Sequence, residues 1–425
     1  GQYGVPGAHL VSRNMAIDYR PQDPDTNADP FPVFQRLRDE DPVHWNDNLH
    51  AWVLSRYDHV KWVTQADAMS PDRLRPYFER LPSPQQDRLS DLIRYTTLWM
   101  IFRDPPEHTR LRGLLIKVFT PKALDDMRPV IRRVVDECLD AVAEAGEMDL
   151  IRDLAYPLPA TVIMAMLGVP RSDIESIKEW SDELAVFLGN ARATPNKSER
   201  AQEGARQLAE HFRAIIARRR REPADDMITA LIHARDEDDK LSEDEIVATC
   251  ILLLFAGHET TTNLIGNGTY HLMRNPDEWR RMGEGPAVVK TGVEELLRYD
   301  GPVGAVPRVV ASELDIAGTV LKQGDRVYAL ANAANRDPRQ FPDPDRLDVT
   351  RRPNRHLAFG HGIHFCLGAA LARIEAQIAF GELTRRFPDM ELATESFEWH
   401  DSLILRGLKK LPVAFTPSAR LKTAV

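Results

Sequence analysis

The chain has 425 residues and a formal net charge of −9, from 55 Lys+Arg against 64 Asp+Glu. With 43% hydrophobic and 28% charged residues it has ordinary globular composition, which excludes disorder and collagen-like architecture. The mild acidity gives no general drive toward nucleic acid or an anionic membrane.

A chain of this length can bury roughly three-quarters of its unfolded surface. No apolar run reaches the about 18 residues that a spanning helix needs, so no membrane anchor is expected. The N-terminal stretch through Asp25 is polar and proline-bearing, without the apolar core of a signal peptide. The three cysteines, Cys138, Cys250 and Cys366, are far apart. So sparse and odd a set argues against a disulfide framework and for a reducing, cytoplasmic compartment. No flexible linker or internal repeat divides the chain. The reading is one large, helix-dominated domain with a minor β region.

In chain order, the segments around His44–Trp45 and Ala51–Ser55 flank Asn46-Asp47-Asn48, which predicts a small hairpin. From about Pro105 to Asp300 the pattern is mostly helical. Pro121 to Glu144 places Leu124, Met127, Ile131, Val134, Val135 and Cys138 at three- and four-residue spacings, an amphipathic helix. Ser198 to Arg221 repeats the pattern and ends in Arg218-Arg219-Arg220-Arg221. That run reads as an anion patch or, better, as a solvated helix end favoured by the macrodipole.

Ser242 followed by Glu245 is a capping-box signature. It opens a helix of about thirty residues, or ~45 Å. The middle of this helix is apolar all round, as for a helix through the centre of a domain. It is interrupted by Gly257, His258, Glu259, Thr260, Thr261 and Thr262, and buried polar groups need partners. After residue 300 short strands are predicted at Arg308–Ala311, Leu314–Ile316, Thr319–Leu321 and Arg326–Leu330. A proline- and arginine-rich stretch from Asn335 to His356 shows no periodicity. A final helix is predicted from Leu367 to Arg386, followed by short strands.

The densest signal is Phe359-Gly-His-Gly362-Ile-His-Phe-Cys366-Leu-Gly368. Its glycines permit positive φ and close backbone approach. Cys366 stands just before a helix, where N–H groups and the dipole lower a thiol's pKa and favour a metal-binding thiolate. A buried structural cysteine, or a zinc site of His361, His364 and Cys366, are the competing readings. The close spacing fits common zinc sites poorly.

The segment resembles the haem-binding loop of the cytochrome P450 superfamily, Phe-x-x-Gly-x-x-x-Cys-x-Gly, at every fixed position. The resemblance spans residues 30–417, between an N-terminal extension (1–29) and a short tail (418–425), and implies a single-domain, mainly α fold with a minor β region and a long central helix over haem b. It makes Cys366 the axial thiolate on the iron, donating electron density that favours O–O cleavage. Phe359, Gly362 and Gly368 shape the loop. Glu295-Leu-Leu-Arg298 matches the family's Glu-x-x-Arg, and Arg346 in FPDPDRLD matches the arginine that joins it, all three structural.

Ala256-Gly257-His258-Glu259-Thr260 resembles the oxygen-activation segment. There Ala256 and Gly257 leave room over a flat cofactor, Thr260 donates to dioxygen and Glu259 relays protons. His258 is read as a packing group. His108 and Arg112, in DPPEHTRLR, together with Arg308 and His364, match contacts to the haem propionates.

The implied activity is a monooxygenase using dioxygen and two electrons to hydroxylate or epoxidise a hydrophobic small molecule. The substrate would be held by Leu253, Val303, Ala305, Val306, Ile404 and Leu405. Trp99, Met100, Leu184, Phe187 and Leu188 belong to more variable segments. Gly266-Asn-Gly268 lacks the third glycine of a dinucleotide fingerprint, and no flavin or iron–sulfur domain is appended. Electrons are therefore expected from a ferredoxin and its reductase. Arg110, Lys117, Arg352 and Arg373 are candidate contacts for an acidic ferredoxin, or simply solvated surface. The chain is read as a monomer. A peroxide-driven peroxygenase and a non-catalytic haem or gas-binding protein are the alternatives, and the intact Glu259–Thr260 pair argues against both.

Overall fold

The structure, a computed structural model, describes residues 17–421. The first sixteen residues of the polar N-terminal stretch and the last four of the tail lie outside it. The described residues form a mainly helical body with a minor β region. The expected hairpin forms, but its turn is Asp47–His50, one step later than the Asn-Asp-Asn segment: β1 (Val43–Asn46) pairs with β2 (Ala51–Leu54), with Val43 opposite Leu54 and Asn46 opposite Ala51. Then follow α1 (Tyr57–Gln65), β3 (Met69–Ser70) and α2 (Glu107–Ile116).

The amphipathic segment after residue 120 is not one helix. It divides into a short helix, Pro121–Asp126, and α3 (Arg128–Ala143). Pro129 has no N–H to continue the ladder, so the chain restarts at Met127 while keeping its apolar face buried. Next come α4 (Pro157–Leu167), α5 (Ile174–Leu188) and α6 (Lys197–Arg221). Two arginines of the terminal run on α6 are ion-paired, Arg219 with Asp226 and Arg220 with Glu243, both at 2.6 Å.

The long helix α7 (Glu243–Met273) has 31 residues, and both halves of the Ser242–Glu245 capping box are formed. It runs through the middle of the body against α4 and α6 and, further along the chain, α8 (Pro286–Tyr299). The strands β4 (Val306–Val310), β5 (Leu314–Ile316), β6 (Thr319–Leu321) and β7 (Arg326–Ala329) follow. One sheet has the order β1-β2-β7-β4-β3, with β7 parallel to β2 and antiparallel to β4, while β5 and β6 pair with each other. The final helix is α9 (Ala369–Arg386). No helix among the described residues is long and apolar enough to cross a membrane.

One apolar core gathers around α7, and a smaller one lies under the sheet. Residues 17–29 pack onto the body, where Ile17 and Tyr19 are buried with Phe34, Leu49 and Leu403. The stretch 335–356 has no regular structure, and α8 holds it. Arg298 grips Glu295 through two bonds of 2.6 and 3.0 Å and donates to the carbonyls of Asn335, Pro344 and Arg346.

The second guanidinium on Glu295 is that of Arg351, at 3.0 Å, rather than that of Arg346. Arg346 contributes its carbonyl, while its side chain is 64% exposed and turned to Asp343 and Asp348. An arginine that must reach a buried carboxylate needs a buried path, and at 9% exposure Arg351 has one.

Candidate active site

A cavity of about 350 Å3 lies between α7, the start of α9 and the loop that precedes it. The loop is set by backbone geometry. Gly362 has φ +81°, and a Cβ there would come within 2.9 Å of the Gln65 side chain, so the loop lies directly on the end of α1. The Cys366 N–H donates to the Phe359 carbonyl at 2.9 Å. Arg373 on α9 holds Glu294 at 2.7 Å and lies over the Phe359 ring, 4.7 Å from its centroid. Phe359, Cys366 and Gly368 all line the cavity.

Burial pushes the Cys366 thiol above its ordinary pKa, against the pull of the Gly368 N–H, Arg112 and Arg373. That N–H is the helix-start effect expected from the sequence, and Cys366 is open to the cavity, where a bound cation would favour the thiolate further. Among the described residues the ligand atoms of His361, His364 and Cys366 do not converge as a zinc trio would.

Four basic side chains gather on one flank. His108 and Arg112 rise from α2, and Arg308 and His364 come from β4 and the loop. Arg112, Arg308 and His364 line the cavity, and the His108 ring sits 4.1 Å from that of His364. The group lacks anions. Burial lowers Arg308 to about 10, with only Asp104 acting against it. Burial, His108, Arg308 and Arg112 together drive His364 down to about 3. Nε2 of both histidines is buried without a partner. Orphaned donors and uncompensated cations beside a thiol are what a flat cofactor with two carboxylates requires.

The α7 residues divide by direction. Ala256, Gly257 and Thr260 line the cavity, and the Thr260 hydroxyl donates to the Ala256 carbonyl at 3.2 Å. A Cβ on Gly257 would meet Ile163 of α4 at 2.8 Å. Its missing side chain therefore also serves the α7–α4 contact, at a point where both Gly257 and Ile163 line the cavity.

Glu259 does not reach the cavity wall. It joins a polar knot between α7 and α5, 3.3 Å from His258, whose Nδ1 lies 2.7 Å from the Leu254 carbonyl. Burial alone would lower His258, but the Glu259 carboxylate reverses this and leaves it raised. Burial and Glu259 raise Asp182, which binds Lys178 at 2.8 Å. His258 is thus a buried partner of Glu259.

Of the expected substrate set, Trp99, Met100, Leu188, Leu253, Val303, Val306, Ile404 and Leu405 line the cavity. Val303 meets Leu405 in a β-bridge, which is anchored next door by the buried Arg406–Asp300 pair at 3.1 Å. Leu184, Phe187 and Ala305 do not reach the wall. Leu184 and Ala305 are fully buried in core, and Phe187 stacks on Phe78 with centroids 5.9 Å apart.

Two charged residues of the wall carried no sequence signal. Arg73 is one. The other is Glu375, whose carboxyl is 1% exposed with both oxygens unpartnered, so burial raises its pKa well above the ordinary range.

The surface cations are mostly spent. Arg110 binds Asp239 and Glu245 at 2.7 and 2.6 Å, and Lys117 binds Asp236 at 3.2 Å. With Arg373 on Glu294, only Arg352 of the four is exposed without an ion pair among the described residues.

A sequence model described as Cytochrome P450 matches residues 49–284 and 287–398. Cytochrome P450 107B1 of Saccharopolyspora erythraea is 39% identical over 391 residues, 89% of this chain and 93% of that protein. The biotin biosynthesis cytochrome P450 of Bacillus subtilis is 38% identical, covering 91% and 96%. The crystal structure of P450BioI with a hexadec-9Z-enoic acid ligated acyl carrier protein superposes with TM-score 0.85 at 36% identity, covering 92% of this chain and 99% of that one. The thiol, the cavity and the unpaired basic flank find their common explanation there: the chain belongs to the cytochrome P450 family, oxidoreductases that carry haem with a cysteine thiolate as axial ligand of the iron.

Proposed function

We propose that this monooxygenase hydroxylates or epoxidises a hydrophobic small molecule, with dioxygen and two electrons from a ferredoxin and its reductase. The observation that carries the reading is the division of Glu259 and Thr260. The hydroxyl lies on the cavity wall bonded to Ala256, and the carboxylate lies behind it in a hydrogen-bonded knot. Haem, when bound, supplies the iron at which dioxygen is activated. Cys366 is the ligand, and Arg112, Arg308, His364 and His108 pair with the propionates.

Thr260 can release Ala256 and donate to a polar atom in the cavity, because a threonine bonded back to its own helix holds its proton only locally. Glu259 can hand it a replacement from the Asp182–Lys178 side. The apolar wall of Trp99, Met100, Leu188, Leu253, Val303, Val306, Ile404 and Leu405 holds the substrate and excludes water. The fatty acyl group carried into the structure of P450BioI is a ligand of that kind. A cytoplasmic, monomeric catalytic domain over residues 30–417 belongs to the same reading, and the free cysteines among the described residues suit a reducing compartment.

The test compares haem-loaded protein supplied with reductase, ferredoxin and NADPH against protein given hydrogen peroxide alone. Oxidised product in the first mixture, with Thr260→Ala consuming electrons at an undiminished rate but yielding several-fold less product, supports the reading. Turnover in peroxide alone would establish the peroxygenase instead.

A further inference from the structure

Arg73 stands on the cavity wall beside Pro71, Trp99, Phe102 and Leu188. Its Nη2 donates to the Leu188 carbonyl at the end of α5, at 2.7 Å, and its guanidinium lies over the Phe102 ring, 5.5 Å from the centroid. Little else engages it. Nε is shielded and has no acceptor, and Tyr328 is the one group acting in favour of its charge. A half-buried guanidinium without an anion is unfavourable, and here the planar fork has N–H groups to spare.

The surroundings deepen the positive field. Lys197 donates to Asn190 Oδ1 and the Ala191 carbonyl at 3.1 and 3.0 Å. Arg192 donates to the Asn48 carbonyl at 2.8 Å and Arg326 to the Leu49 carbonyl at 2.6 Å. Each therefore uses a neutral acceptor. Burial and then Arg192 lower the pKa of Lys197, and Arg73 and Arg326 lower it further. Asp401 is the nearby acid, and its oxygens already accept from the N–H groups of Arg192 and Ala193 and from the Thr194 hydroxyl.

Arg73 is also separate from the cofactor-facing cations. The cofactor-facing cations stand on α2, β4 and the loop before α9, with the His108 and His364 rings 4.1 Å apart, whereas Arg73 precedes α2 in the chain and lies on the Phe102 ring. It is bound to α5, whose residues take no part in the basic flank. The rest of its stretch of wall is apolar.

We propose that Arg73 is a specificity residue that pairs with the carboxylate of an apolar acid, holding the acidic end at α5 and leaving the hydrocarbon body to the wall of α7. The inference rests on the monooxygenase reading for its substrate, but the recognition can be tested without turnover.

Tetradecanoate and methyl tetradecanoate are titrated into the haem-loaded full chain by calorimetry at about pH 7.5, where the acid is ionised. The expected result is at least tenfold tighter binding of the acid, lost in Arg73→Gln while the ester's affinity is unchanged. Arg73→Lys restores part of the preference, as a point charge without the fork. Equal binding of acid and ester by the unaltered protein, binding of neither, or a preference that survives Arg73→Gln overturns the proposal. So does loss of haem from Arg73→Gln with the preference intact, which would place Arg73 with the propionate cations. An Arg73-dependent preference without oxidised product under ferredoxin turnover would sustain the recognition and sink the monooxygenase reading instead.

Discussion

Cys366, Thr260 and Glu375 face one cavity, yet each is tuned by a different part of its surroundings. A serine hydroxyl ionises far less readily than the Cys366 thiol, whose thiolate the Gly368 N–H, Arg112 and Arg373 favour against desolvation. Cys366→Ser should therefore leave a weaker and more protonated ligand, abolishing the red-shifted Soret band of the reduced carbon monoxide complex. An unchanged spectrum would remove Cys366 from the iron. Glu375 allows a pH prediction with a definite sign. Burial raises its folded-state pKa, whereas the unfolded chain ionises it above about pH 4.3. Above that point the unfolded state binds fewer protons than the native state, so this group makes stability fall as pH rises. Glu375→Gln abolishes that contribution, and its Tm relative to the unaltered protein should climb between about pH 5 and about pH 8; a constant difference would mean that Glu375 finds a partner. Residues such as Cys366 were legible because their motif is local. Arg73 and Glu375 were not, because an unpartnered charge is a property of the fold around it.

Helix boundaries were readable where they rest on side-chain caps and unreadable where they rest on tertiary contact. The Ser242–Glu245 box is a local exchange of hydrogen bonds and appears as expected, so Ser242→Ala should cost about 1 kcal/mol in denaturant unfolding. The apolar spacing after residue 120 overrode the warning in Pro129, because an amphipathic face can continue across a broken ladder. Gly257 has a second role that its place in a polar break does not reveal: it lines the cavity, and Ile163 stands 2.8 Å from where its Cβ would be. Ile163 is β-branched and stiff, so Gly257→Ala should destabilise by about 1–3 kcal/mol through overpacking. Adding Ile163→Val should recover part of that loss. Additive effects of the two substitutions would show that α4 and α7 are not in contact there.

At the scale of the molecule, the question is how an unstructured stretch of chain delivers the Cys366 loop to its place. The residues from Asn335 to His356 have no ladder of their own, and two buried charges of α8, Glu295 and Arg298, hold them together with Arg351 of the stretch itself. Glu295 accepts from Arg298, Arg351 and the Asp348 N–H, while the two guanidinium groups together reach the carbonyls of Asn335, Pro342, Asp343, Pro344 and Arg346. The sequence announced the pair on α8, since i and i+3 share a face. It misassigned the third member, since any of several arginines in the stretch could have reached. Substitution separates them. Arg346→Gln removes an exposed guanidinium and should change stability by no more than about 0.5 kcal/mol. Arg351→Gln leaves a buried carboxylate oxygen and three carbonyls short of donors, and should cost about 1–3 kcal/mol. Because the stretch runs straight into the loop that ends at Cys366, the second substitution should also lower the fraction of haem retained after gel filtration, read as Soret absorbance per protein. Equal behaviour of the two variants would mean that the loop is held by α1 and α9 alone.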